Sequence, residues 1–261
     1  MQTRRPVCWL VAILLLLSGC NGFSGPEPAA TVSPADVPEA PTPSAQPWTG
    51  DSFDGSQAAT THARTLRNSS YTVNQTIVTR FTNGTTAARY VTRAQFSGDG
   101  RAAVTLTQVD RRGADTQRRT VRRFQAGDTR YRLVVADGNR TLTVTNGTGY
   151  GAAEYREVLA NGGPVARVFG YVDTRIVGQY TEDGTQYVDV ATVQPVSVPP
   201  LSNVTLTATV SERGIIRSYR VTYGVERDGT RLRTVVALSY TAVGTTTVDR
   251  PAWVDQEATA S

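Results

Sequence analysis

The sequence predicts a mainly β domain of the α+β class, with about ten antiparallel strands and two or three helices. Three observations carry this. Apolar residues recur at every second position over long stretches, hairpin dipeptides separate those stretches, and only a few short segments have helical spacing.

The elements follow in chain order. A first helix is expected over roughly Gly55–Arg67. After it Tyr71, Val73, Ile77 and Phe81 fall on one side of a strand, with Thr72, Asn74, Thr76 and Arg80 on the other. Tyr90, Ala94 and Phe96 repeat the pattern beyond the Asn83-Gly84 turn, followed by Val104 and Leu106, by Tyr131, Leu133 and Val135, and by Leu142 and Val144. A second helix covers Ala152–Ala160, with Tyr155, Val158 and Leu159 on one side, and Pro164–Tyr171 extends it past a Gly162-Gly163 break. Strands resume with Val188 and Val190, then Val204 to Val210, Ile215 to Val225, and Leu232 to Tyr240. Asp99-Gly100, Asp137-Gly138, Asp183-Gly184 and Asp228-Gly229 mark further hairpins. Clean alternation implies one apolar face and one wet face, and so few helices would not normally cover all of the apolar one.

The ends of the 261-residue chain read as non-globular. Residues 1–19 comprise Arg4 and Arg5, an apolar run from Val7 to Leu17, and two small residues. The run is shorter than the roughly 20 residues a membrane span needs, so it reads as an export signal. Leu17-Ser18-Gly19-Cys20 resembles the lipobox of bacterial and archaeal lipoproteins. That resemblance implies cleavage before Cys20, a lipid on its thiol, and a protein held on the outer face of the cytoplasmic membrane. Residues 20–50 hold seven of the thirteen prolines and read as an extended tether. The globular domain is expected over 51–254, and 255–261 as a disordered tail.

Composition excludes several functions. There is no lysine, so all 27 basic residues are arginine, and the formal charge is +5. Removal of residues 1–19 takes away Arg4 and Arg5 and no acid, leaving +3, too little to imply a nucleic-acid partner. Cys8 lies in the export signal and Cys20 at the anchor, so the domain itself holds no disulfide, thiolate metal site or cysteine nucleophile. His62 is the single histidine, which rules out a multi-histidine metal site, and we expect it at the surface or partly packed. No phosphate-binding loop, nucleophile elbow or dinucleotide fingerprint occurs. The sequence therefore assigns no catalytic residue, no metal and no cofactor, and a hydrolase using carboxylates is the third-ranked reading.

Six of the eight asparagines lie in N-x-S/T sequons, at Asn68, Asn74, Asn83, Asn139, Asn146 and Asn203, and these are the candidate N-glycosylation sites. Arg111, Arg112, Arg118, Arg119, Arg122, Arg123, Arg130 and Arg132 fall within 22 residues. Alternation, with a guessed register, puts Arg118, Arg122, Arg130 and Arg132 on one face. The sharper reading is a patch for anionic headgroups or an acidic glycan. The plainer reading, which we take, is a solvated hairpin face with acids nearby.

Three sets of residues carry a resemblance to a family of uncharacterised haloarchaeal lipoproteins: Leu17 to Cys20, Asn68-Ser69-Ser70-Tyr71-Thr72-Val73, and Val248-Asp249-Arg250-Pro251-Ala252-Trp253. The strand order also resembles the LolA/LolB-type lipoprotein-carrier superfamily, which includes mycobacterial glycolipid-carrying lipoproteins. That likeness implies a curved, half-barrel-like sheet with helices against its concave face and an apolar cavity between them. The expected function is a binding or carrier module for a lipid or other apolar ligand. The alternative is a structural or interaction protein of the envelope with no cavity. Tyr71, Phe81, Tyr90, Phe96, Tyr155, Phe169, Tyr219, Tyr223 and Tyr240 are the candidate pocket residues, with Gly162-Gly163-Pro164 as the hinge of a lid.

Overall fold

The computed structural model describes residues 46–112, 115–147, 152–160 and 162–258. The expected export signal, Cys20 and most of the tether lie outside the described residues.

In chain order the elements are β1 (Trp48–Thr49), β2 (Ser52–Phe53), α1 (Gly55–Arg67), β3 (Tyr71–Phe81), β4 (Thr86–Phe96), β5 (Ala102–Arg112), β6 (Asp115–Ala126), β7 (Thr129–Ala136) and β8 (Asn139–Asn146). There follow α2 (Ala152–Ala160), α3 (Gly162–Tyr171), β9 (Thr174–Glu182), β10 (Thr185–Thr192), β11 (Val196–Val198), β12 (Leu201–Ser211), β13 (Ile216–Arg227), β14 (Thr230–Thr241) and α4 (Ala252–Ala258). Among the described residues no helix is long and apolar enough to cross a membrane.

One 12-stranded antiparallel sheet dominates, in the order β8-β7-β6-β5-β4-β3-β14-β13-β12-β10-β9, with β11 paired to β12. It is two meanders, β3–β8 and β9–β14, joined where β14 pairs with β3 and Tyr240 stands opposite Val73. The sheet stays open, with β8 and β9 at its edges. It is larger than the ten or so strands expected. The alternation did not mark β6, whose exposed stretch Asp115–Arg119 is wholly polar, the Gly178-containing β9, or the three-residue β11. The Asp137-Gly138, Asp183-Gly184 and Asp228-Gly229 turns hold both residues at positive φ, as a two-residue hairpin with the twist of its strands requires.

Direct cross-strand partners share a face, so the register sorts every strand residue. Tyr71, Phe96 and Ala102 stand in one row across β3, β4 and β5, and Tyr219 beside Leu238 on β13 and β14. This helix face receives α1, α2 and α3 and holds the main core, with Ala58, Ala59, Leu66, Leu159, Phe169 and Val172 supplied from the helical side. Asp54 caps α1, its carboxylate accepting from the Gln57 N–H at 2.8 Å. A Cβ on Gly55 would lie 2.5 Å from the Phe169 ring, so the start of α1 can meet α3 this closely only through glycine. Val158, expected on the packed side of α2, is exposed at 55 %, while Leu159 and Ala160 are buried.

The opposite, open face carries the C-terminal segment. Gly244 N–H donates to Ser70 O at 2.7 Å, and the Thr72 and Thr246 hydroxyls meet at 3.1 Å. Val248, Trp253 and Val254 then pack on Phe124, Ala103 and Tyr131 in a second, smaller core. Packing thus exceeds the expected 51–254 at both ends: Trp48 belongs to the main core, and α4 runs to Ala258.

Candidate functional site

All seven candidate aromatics from strands project from the helix face, because the odd-numbered residues of β3 pair with the even-numbered residues of β4 and β14. The helices then divide them. Tyr71, Phe96, Tyr219 and Tyr240 are buried with Phe169 in the main core, and Tyr155 packs against it. The Tyr71 and Phe96 rings lie 4.9 Å apart, centroid to centroid. These residues fill the space expected to be a cavity. Their hydroxyls are taken as well: Tyr240 donates to Leu159 O at 2.9 Å and Tyr71 to Arg156 O at 3.2 Å, both in α2. Burial raises both phenol pKa values well above their ordinary range.

The α2 helix is fastened rather than hinged. The Arg67 guanidinium grips Glu157 through two hydrogen bonds, at 2.7 and 3.0 Å. Arg156 donates to Ser97 O at 2.7 Å and Ser69 O at 3.0 Å, and lies 5.4 Å from the Phe96 ring centroid. The Arg123 guanidinium sits 4.7 Å from the Tyr155 ring centroid. The proposed Gly162-Gly163 hinge is helical backbone at the start of α3, and residue 161, between the two helices, lies outside the described residues.

Beyond the helices the same face continues with no described residue in the main core above it. Phe81 and Tyr90 lie there with Ile77, Leu106, Val225 and Leu232, all half-buried and none in the main core, while Tyr223 and Val236 sit at the boundary. A polar rim edges this apolar half. The Tyr90 hydroxyl donates to the Asp110 carboxylate at 3.3 Å, and the Gln108 amide donates to the other carboxylate oxygen. Burial and then the Asp110 charge raise the Tyr90 pKa. Sequence reasoning named Phe81, Tyr90 and Tyr223 here but missed Ile77, Leu106, Val225 and Leu232, although period-two alternation places each of them on this face.

His62 corrects the expectation of a surface residue: it is fully buried beneath Tyr240. Its Nδ1 accepts from Ile216 N–H at 3.2 Å, so the ring proton is on Nε2, which has no hydrogen-bond partner among the described residues. The ring stands edge-on to Tyr240 at 4.6 Å. Burial lowers its pKa to about 3, so the imidazole is neutral. Among the described residues no three of His, Cys, Asp or Glu gather to hold a metal ion. All six sequon asparagines are exposed. Asn83 folds its own sequon into a turn, its side-chain oxygen accepting from the Thr85 N–H at 3.0 Å and hydroxyl at 2.7 Å.

The arginine-rich hairpin differs from expectation. Arg123 pairs with Arg132 and Gln125 with Arg130, so Arg130 and Arg132 share the helix face with Arg123, while Arg118 and Arg122 are on the open face. Two grooves are lined mainly from that open face. One, of about 430 Å³, is lined by Arg89, Val91, Arg93, Thr105, Thr107, Val109 and Arg118. The other, of about 480 Å³, lies over β10 and β12–β14 beside Asp189, Thr209 and Arg220.

A family model matches residues 5–258, nearly the whole chain. The chain belongs to DUF7537, a family of unknown function. No curated protein matches this DUF7537 chain. Among solved structures it is similar to LprF from Mycobacterium bovis, at 13% identity and a TM-score of 0.40, over 78% of this chain and 98% of that one. It is similar to the lipoprotein LppX from Mycobacterium tuberculosis at 10% identity and 0.38, over 74% and 96%. A LolA superfamily protein from Nitrosomonas europaea follows at 11% identity and 0.26, over 77% and 96%. Scores this low leave the function to be argued from the residues of the DUF7537 chain itself.

Proposed function

We propose that this DUF7537 protein is an extracytoplasmic binding or carrier module, not an enzyme, for a lipid or other apolar ligand, tethered to the outer face of the membrane by lipid on Cys20. The observation that carries the reading is the half of the helix face outside the main core. Side chains there have the same alternation and aromatic content as the core, yet Ile77, Phe81, Tyr90, Leu106 and Leu232 keep part of their surface in water. An acyl or isoprenoid chain laid along them would gain about 0.8 kcal/mol per buried methylene. The Tyr90 hydroxyl and Asp110, at the rim, are placed to orient a polar group, and they replace the Tyr71 and Tyr240 hydroxyls, which α2 already occupies. Exposure of all six sequon asparagines supports N-glycosylation in a host that has the pathway.

Mass spectrometry of protein purified without detergent tests the ligand. A co-purifying lipid is expected from the wild type, and a Phe81→Ala/Tyr90→Ala variant that still folds should lose it. A wild type that emerges empty and binds no fluorescent lipid probe would leave the second reading, a structural or interaction protein of the envelope. The aromatic packing beneath the helices favours that reading. The anchor is tested separately: Cys20→Ser should leave the membrane fraction after a high-salt wash, because the lipid is the reading's only stable membrane attachment.

A further inference from the structure

The acids of the first meander, unlike its arginines, are confined to one face, which neither the fold nor the apolar site requires. On the six strands β3–β8 the only acids are Asp110 and Asp115, and the register puts both on the helix face. Arg112, Arg119, Arg123, Arg130 and Arg132 share that face. The open face of the same strands has no carboxylate of its own, yet it carries Arg80, Arg89, Arg93, Arg111, Arg118, Arg122 and Arg140. Because the chain has no lysine, the signal is this placement and not the choice of arginine.

The rows are explicit. Arg89, Val109 and Arg118 stand side by side on β4, β5 and β6, as do Arg93, Thr105 and Arg122. Val91, Thr107 and Thr120 form the row between them. Strand spacing puts the two arginines of a row about 10 Å apart and the two rows about 13 Å apart. Four cations therefore frame a floor of one valine and two threonines. Three of them, Arg89, Arg93 and Arg118, line the 430 Å³ groove. Among the described residues none of these three forms an ion pair with an acid. Cations grouped on one rigid sheet face without counter-charge sum to a local positive potential, and their mutual repulsion is felt most at low salt. An anion in the groove reverses that cost, and guanidinium groups suit a tetrahedral oxyanion because each offers paired N–H donors.

We infer that this groove is a phosphate site, in which Arg89, Arg93 and Arg118 hold a phosphate group over Val91 and Thr107. The phosphate is either free or the headgroup ester of an anionic lipid. The open face here offers no exposed aromatic platform of the kind a single-stranded nucleic acid stacks on, since Phe124 and Tyr131 lie in the core under the C-terminal segment. The site is on the opposite side of the sheet from the apolar half, so it stands or falls independently of the lipid-carrier reading.

The test is the thermal transition and ligand titration of the full-length protein in neutral detergent. Inorganic phosphate should raise the transition temperature above that in chloride of equal ionic strength. The Arg89→Ser/Arg93→Ser/Arg118→Ser variant should bind phosphate at least tenfold more weakly, while its phosphate-free transition stays level or rises because the repulsion is gone. The control Arg64→Ser/Arg175→Ser/Arg213→Ser makes the same charge change at exposed positions elsewhere and should keep the response. If the triple variant does not fold, Arg118→Gln alone serves, with a smaller loss in the same direction. Vesicles of phosphatidylcholine with and without phosphatidylglycerol separate the sources. A response to phosphate alone assigns a free phosphate, and a response only to the anionic vesicles assigns the headgroup. No response to either, or an equal loss in the control variant, overturns the site.

Discussion

The two ends of the helix face are built from the same pattern and do different things. At one end Tyr71, Phe96, Tyr219 and Tyr240 are sealed under α1, α2 and α3, and the Tyr71 and Tyr240 hydroxyls are spent on the carbonyls of α2. At the other, Ile77, Phe81, Tyr90 and Leu232 continue the same strands, half-buried and, among the described residues, outside the helix-covered core. Apolar alternation therefore states which side of a sheet a residue is on, and coverage decides whether that residue is core or site.

The largest expected effect separates the two ends by stability. Phe96→Ala removes a fully buried ring and should cost about 3–5 kcal/mol. Phe81→Ala, on the same face but half-buried, should cost about 1 kcal/mol or less and act on lipid binding instead. Denaturant unfolding of both variants checks this, and equal losses would show that the far end is covered after all.

Acid should attack the covered end next. His62 has its ordinary pKa of 6.5 in the unfolded chain and about 3 in the folded one, so the unfolded state binds the extra proton as pH falls. Its contribution is fully present above pH 6.5 and is lost progressively down to about 3. Between pH 7 and pH 4.5 the loss should reach about 2–3 kcal/mol. His62→Gln should flatten that part of the stability curve whatever it does to the value at neutral pH. An unchanged slope would mean that the ring takes up its proton without unfolding.

The smallest effect compares two phenols. Tyr240→Phe leaves the Leu159 carbonyl without its donor in a buried setting and should cost about 1 kcal/mol. Tyr90→Phe removes a longer hydrogen bond at a half-exposed rim and should change stability by no more than about 0.5 kcal/mol. A greater loss from Tyr90 would identify the rim as structural.

Much of the fold was legible. The bounds of α1 and α2, the alternating strands and the Asp-Gly hairpins follow from local chemistry, because side-chain period and turn conformation act over a few residues. The site was half legible: every candidate aromatic on a strand is on the expected face, but seven of the nine candidates lie in or against the helix–sheet packing, Tyr223 at its boundary. The register of the arginine hairpin was misjudged. Gly127-Asp128 is a two-residue loop that sets Ala126 opposite Thr129, so even-numbered residues of β6 share a face with odd-numbered residues of β7. A slip of one residue sends every side chain to the other side. That single parity separates Arg118 and Arg122 from Arg130 and Arg132.

By itself the sequence determined most of the helices and strands, the period that makes one face apolar, and the lack of a histidine or cysteine cluster in the domain. Only the tertiary structure decided where the apolar face stops being core. That boundary depends on β14 returning to pair with β3, Tyr240 against Val73, and on α1 lying close enough for His62 to take the Ile216 N–H. Both contacts join residues more than 150 positions apart, and no local propensity encodes a distance that only the assembled sheet creates.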